Sequence, residues 1–345
     1  MTNDLQGTQN TSTTVILRIF ALSVVALSLL FVFNNYLNFW QDWPGVLTLF
    51  SHFGWFGAEQ LRTPLDSDQV TRGGAQLVLY IVPIIALAIF VQKTPNRTMH
   101  EDADVLSTIS AYIIRAAFWS VLLIGFTDSL ISFLRVENFL HNFMGTQLIE
   151  DLGRSSFRGN NVHYPLVAVS MVIAAFTRSV GFFWLALLIV VAEIQIVIAR
   201  FVFSYEQAFM ADLVRFWYGA LFLFASPYTL IHEGHVRVDI LYASFSERGK
   251  AWTNSIGSAF LGMPLCWVVL TRGLWSKSNV ISGPLLNFEV TQAGYGLYVK
   301  YLLAGFLLIF AVTMLIQFMS YFLSSAAVLL REPGHHPDTT EHATV

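Results

Sequence analysis

The chain has 345 residues, 55% of them hydrophobic and only 12% charged, with a formal net charge of -3. Soluble domains carry roughly 25% charged residues, so this chain has too little polar surface to coat a water-soluble globule of its size. The balance of charge offers no polybasic face to nucleic acid, and thirty Phe and nine Trp suit lipid and headgroup zones better than an aqueous surface.

A helix needs about 20 mostly apolar residues to cross hydrocarbon, because each residue rises only 1.5 Å. The chain begins polar, with no Lys or Arg before Arg18, and its first apolar run covers 14–36. That run lacks a small-x-small cleavage site and ends in Asn34, Asn35 and Tyr36, so it reads as a retained span and not a removed signal peptide. Phe39, Trp40 and Trp43 follow as interfacial anchors. A long polar connection, 37–73, closes on Arg72-Gly73-Gly74, an ordinary linker into the run 74–92. The third run, 109–134, is followed by a second polar connection, 135–163.

A shorter run, Tyr164 to Thr177, is filled with small and apolar residues. Arg178-Ser179-Val180-Gly181 then suits a tight hairpin into the run 181–203, after which come 212–231, 252–274 and 297–325. Trp217, Tyr218, Tyr295 and Tyr298 sit where spans should end and read as further anchors. The runs are apolar around their whole circumference with no alternation of period two, which excludes a β-barrel. The fold class is therefore an all-α integral membrane protein. It is a polytopic bundle of about eight transmembrane helices, or seven if residues 164–177 lie in the interface or enter only partway.

A boundary near residue 160 divides an N-terminal extension of about three spans, 1–160, from a more regular region, 161–330. A polar tail, 331–345, is expected to be disordered. Its His335, His336 and His342 read as solvated residues and not as metal ligands. All nine histidines fall outside the span interiors, so no inward-facing pair presents itself as haem ligands. The lone cysteine, Cys266, cannot form an internal disulfide and reads as an inert buried thiol. There is no Gly-x-x-x-x-Gly-Lys-Ser/Thr loop, no nucleophile elbow and no His-x-x-x-His, so no catalytic, cofactor-binding or metal residues are expected.

Ionisable residues inside spans cost about 2.5–3.5 kcal/mol even on the lenient insertion scale. Glu193 lies mid-run in 181–203, with Arg200 two turns on along the same face; Asp128 and Arg135 repeat that spacing in the third run. Either they form a proton or ion pathway, or they are interhelical pairs that fix packing within the chain or against a partner. The small number of charges favours the pairs. Lys and Arg do not orient the chain. Arg178, Arg237, Arg248, Lys250 and Arg331 on one side are balanced by Arg200, Arg215, Arg272, Lys277 and Lys300 on the other.

The most informative stretch is Leu230-Ile231-His232-Glu233-Gly234-His235-Val236-Arg237-Val238-Asp239-Ile240-Leu241, directly after an apolar run and before Ser246-Glu247-Arg248-Gly249-Lys250. Its alternating charged and apolar residues suit a segment resting on the membrane surface. A Gly-His-Val-Arg-Val-Asp sequence in that setting resembles the small permease (DctQ-type) family of tripartite ATP-independent periplasmic (TRAP) transporters. Arg200-Phe201-Val202-Phe203 is similar to that family's Arg-Tyr-x-Phe, and Asp212-Leu213 stands where it usually has Glu-Leu. Asn287-Phe288-Glu289-Val290 with Gly296-Leu297-Tyr298-Val299-Lys300 resembles the mannitol/chloroaromatic-like branch, departing from it at Thr291 and Tyr298. Gln317 in the last span also fits.

The resemblance covers about 176–330 and leaves the first 160 residues as an N-terminal extension. It implies cytoplasmic termini, the bacterial inner membrane, and a scaffolding role beside a large permease subunit (DctM-type). It also implies sodium-coupled uptake of an organic acid delivered by a periplasmic binding protein (DctP-type). On this reading Glu193, Arg200, Asp212, His235, Arg237, Asp239, Glu289, Lys300 and Gln317 are partner-interface or structural residues, and the remaining partner is the lipid bilayer. The rival readings are a stand-alone secondary transporter, which would carry inverted repeats and broken helices, and a subunit of some other membrane complex.

Overall fold

The structure is a computed structural model that describes residues 12–179, 181–231, 240–291 and 296–332. Among the described residues all regular elements are helical. In chain order they are α1 (Ser12–Trp40), α2 (Val46–Phe53), α3 (Ser67–Lys93), α4 (Met99–Val136), α5 (Thr146–Leu152), α6 (Ser155–Arg158), α7 (Tyr164–Phe176), α8 (Phe182–Val202), α9 (Ala208–Ile231), α10 (Ile240–Ala243), α11 (Glu247–Gly257), α12 (Met263–Leu274), α13 (Ser282–Asn287) and α14 (Lys300–Leu330). The motif residues His235, Arg237 and Asp239, and the tail with its three histidines, lie outside the described residues.

Local chemistry sets several boundaries. Asp66 and Thr98 each cap a helix with a reciprocal bond from the residue three on, Gln69 and Glu101, satisfying donors that α3 and α4 would otherwise leave open. Two π-helical turns, Gly159–His163 and Ser258–Gly262, sit just ahead of Pro165 and Pro264. A proline removes a donor and crowds the carbonyl four residues back, and one extra residue in the preceding turn relieves the collision. The helices on either side thus run on through them, from Ser155 to Phe176 and from Glu247 to Leu274.

Among the described residues seven helical stretches are long and apolar enough to cross a membrane: α1, α3, α4, α8, α9, α11 through α12, and α14. The eighth expected span, α7, has only 13 residues by itself. It nonetheless carries the chain back along α4. His163, just before it, bonds Asp128, Tyr112 donates to Met171 near its end, and Trp119 donates to Thr177 just after it. From Asp128 to Tyr112 is about 24 Å of helix at 1.5 Å per residue. The start of α1, the start of α4 and the end of α14 meet on one side, where Arg18 bonds Asp102 at 2.7 Å and Met99 N–H donates to Glu332 at 2.9 Å.

Within the connection 37–73, Val46–Phe53 folds as α2, whose Leu49 is buried against Gly73 of α3. Two of the expected interfacial anchors are in fact core residues: Trp217 is 3% and Tyr298 2% exposed. Trp217 lies against Gly125, where a Cβ would come within 2.4 Å of the indole nitrogen, so α4 and α9 approach this closely only because residue 125 has no side chain.

Two hydrophobic interiors share α4 and α14. One joins α1, the first third of α4 (Met99, Ala103, Leu106), α12 and the second half of α14. The other joins the middle of α4 (Ile114 to Ile124), α8, α9 and the start of α14. At 38 residues α4 is about 57 Å long, nearly twice the roughly 30 Å of hydrocarbon, and this length lets it serve both.

Candidate functional site

Four polar arrangements hold these helices together. Near the side where α1 begins, Asp102 accepts from Arg18 Nε at 2.7 Å and from Arg97 Nε at 2.5 Å, and Arg18 also donates to the Thr94 carbonyl at 3.0 Å. Arg18 is wholly buried, so its charge is matched where water is absent. Further along α1, Gln76 Nε2 donates to Asn34 and Asn38 Oδ1 at 2.8 and 2.7 Å while its Oε1 accepts from Gly45 N–H at 2.9 Å. Between α4 and α14, Ser107 donates to Gln317 Oε1 at 3.2 Å, Ser320 to the Ala103 carbonyl at 2.8 Å and Ser110 to the Thr313 carbonyl at 3.2 Å. Small hydroxyl residues let two helix backbones approach and bond in an apolar setting.

The densest arrangement surrounds Asp128, which is fully buried with Arg158 and His163. Its Oδ1 lies 2.8 Å from Arg158 Nη1 and 3.1 Å from His163 Nε2, and its Oδ2 accepts from Tyr298 N–H at 2.8 Å. Arg158 Nε donates to the Leu152 carbonyl at 2.7 Å, and the Tyr298 ring lies 4.2 Å from the guanidinium carbon. His163 Nδ1 is 2.8 Å from the Tyr301 hydroxyl. Next along the chain, Leu297 N–H donates to Asp212 Oδ2 at 3.2 Å. Consecutive backbone amides before α14 are thus held by carboxylates from α4 and α9, a clamp on the strap that feeds the last helix.

The π turn is what makes this cluster possible. Arg158 and His163 are five residues apart, about 140° around an ordinary α-helix. The wider π turn Gly159–His163 between them narrows that angle, and both side chains reach one carboxylate. Gly159 is needed too, since a Cβ there would lie 2.2 Å from the Phe288 ring.

The sequence candidates divide into two groups. Asp212 is buried in the clamp, Gln317 is buried between α14 and α4, and Glu289 pairs with Lys300 at 2.6 Å on the surface just before α14. Glu193 and Arg200, by contrast, are exposed on α8, and neither has a hydrogen bond or ion pair to any described residue. Asp128 forms a packing pair with a residue of another helical stretch, as expected of it, and its partner is Arg158, while Arg135 reaches the Tyr298 hydroxyl at 3.4 Å. Sequence reasoning missed Arg158, His163 and Tyr301. The available signal was a guanidinium and an imidazole just ahead of an apolar run, in a stretch read as a loop.

Residues 187–328 match the family described as Tripartite ATP-independent periplasmic transporters, DctQ component. This segment is a DctQ domain. It begins inside α8 and ends inside α14, taking in α8, α9, α11–α12 and α14. That match, with the seven membrane-capable helices among the described residues, supports a multi-pass inner-membrane protein. No curated protein and no solved structure gives a match. Asp128, Ser107 and Ser110 all belong to α4, ahead of the DctQ domain, yet each bonds to residues within it.

Proposed function

We propose that the chain is the small, non-catalytic membrane subunit that braces a large permease subunit (DctM-type). In this reading that partner carries out sodium-coupled uptake of an organic acid or related solute, delivered by a periplasmic binding protein (DctP-type). Both termini and the His235–Arg237–Asp239 segment face the cytoplasm. The observation that carries the proposal is Glu193, exposed midway along α8 with no partner among the described residues. An ionised group facing lipid at that depth costs about 2.5–3.5 kcal/mol, so the face is suited to another protein's helix carrying a hydrogen-bond donor or cation. Arg200 lies on the same flank seven residues on, where it can meet an acceptor on that helix.

Helix association in lipid rests on packing and interhelical polar pairs, not on the hydrophobic effect, and α8 presents both. Its outward residues Phe183, Leu187, Val190, Ile194, Val197 and Phe201 are exposed, a broad apolar wall around one acid. In this role the internally bonded Asp212 and Gln317 keep the wall rigid. The test is purification of the co-expressed complex in mild detergent. Wild-type chain should bring down a larger multispanning protein, and Glu193→Gln should weaken that capture. Unchanged assembly and transport in Glu193→Gln would remove α8 from the interface. Solute movement by the wild-type chain reconstituted alone would overturn the bracing role itself.

A further inference from the structure

From Trp43 to Ala58 the chain has no Asp, Glu, Lys or Arg, although Asp42 precedes it and Glu59 follows. It contains α2 and a 3₁₀ turn, Trp55–Gly57. We propose that this segment is an interfacial anchor whose aromatic face lies in the headgroup–acyl boundary of the leaflet where α1 ends and α3 begins. The inference concerns the N-terminal extension, outside the DctQ domain, and does not depend on the transport partner.

Three observations converge on lipid. The first is depth. Gly45, which precedes α2, bonds Gln76 of α3, and Gln76 bonds Asn34 and Asn38 of α1. That polar seat holds α2 at the level where the apolar runs of both spans finish. The rings of Phe33, Tyr36 and Trp40 on α1 stack in sequence at 6.2 and 6.1 Å near the same level, with Phe33 and Tyr36 exposed. Aromatic belts of this kind mark the membrane–water boundary.

The second is the shape of the apolar surface. Leu49 points into the protein, while Leu47 is 62%, Phe53 46%, Trp55 45% and Phe56 91% exposed. Phe53 stacks on Trp55 at 4.9 Å, and Phe50 meets Phe56 at 5.3 Å, so the rings form one continuous plate. At Glu59 the composition turns polar, with Gln60, Arg62, Thr63 and Asp66 exposed. One face is built for hydrocarbon and the adjoining loop for water, the arrangement of a helix lying in the membrane plane.

The third is Phe56. Its φ of 56° places a bulky residue in the left-handed region, which L-residues with large side chains rarely adopt. The contact with Phe50 covers little of the ring, which is 91% exposed, so burial within the described residues hardly offsets that strain. Insertion of the ring among acyl chains supplies the missing contact.

Single-cysteine labelling tests this, because Cys266 is the chain's only cysteine. Full-length chain carrying Cys266→Ser receives Phe56→Cys, Leu47→Cys or Arg62→Cys, and an environment-sensitive fluorophore. It is reconstituted in phosphatidylethanolamine/phosphatidylglycerol vesicles, with and without the co-purified transporter subunits. Labels at 56 and 47 should be blue-shifted, quenched by lipids bearing a nitroxide near the headgroup, and resistant to aqueous iodide. The label at 62 should be quenched by iodide and not by the nitroxide lipid. Iodide quenching at 56 and 47 equal to that at 62 overturns the proposal. So does shielding that appears only when the other subunits are present, which would make the plate a protein contact. If Phe56→Cys fails to fold, the label at 47 decides.

Discussion

Asp128 and Glu193 are both acids set well inside apolar helices, and they meet opposite fates. Asp128 is surrounded by Arg158, His163 and the Tyr298 amide and has no exposure. Glu193 stands on the outer flank of α8 with no partner among the described residues. A carboxylate in a low-dielectric setting must be matched. The contrast therefore separates charge used to build this chain from the charge that the proposed partner helix would meet. Both carboxylate oxygens of Asp128 are bonded within the chain, and the cluster ties α4 and the π turn, ahead of the DctQ segment, to the strap that feeds α14.

Breaking the buried side should have the largest effect. Asp128→Ala strands the Arg158 guanidinium, and removing one member of a buried pair costs about 3–5 kcal/mol. The thermal midpoint of the purified chain should fall sharply, or the protein should fail to elute as a single species. Adding Arg158→Met should recover much of the loss, because paired removal leaves no stranded charge. If Asp128→Ala alone proves silent, the tie does not rest on this pair.

Glu193→Leu sharpens the comparison from the other side. It should leave the thermal midpoint of the isolated chain unchanged or raised, since it removes an exposed acid from an apolar face, yet abolish capture of the larger subunit. A substitution that lowered stability in the isolated chain would place Glu193 among the internal pairs. Gln317→Leu should be milder, about 0.6–1.7 kcal/mol for one interhelical bond in a membrane, read as a modest shift in thermal midpoint. The smallest effect belongs to Lys300→Ala. Its pair with Glu289 is solvent-facing, worth less than about 1 kcal/mol and screened by salt. The mutant and wild-type midpoints should converge as ionic strength rises.

The long apolar runs, their helical character and the DctQ likeness of the C-terminal half were all readable along the chain, because hydrocarbon imposes length and composition on each span separately. Exposed charges were readable for the same reason: Glu193 is as conspicuous in the sequence as on α8. What the sequence could not reveal was pairing across helices. Arg158 and His163 sat in a stretch that resembled a loop, and only a π turn brings two residues five apart onto one carboxylate. Trp217 and Tyr298 looked like interfacial anchors because they flank apolar runs. They are buried because Gly125 admits one against α4, and two carboxylates draw the other's strap inward. Span identity is a local property of about twenty consecutive residues, whereas the partner of a charge depends on which distant helix packs beside it, and only the tertiary structure decides that.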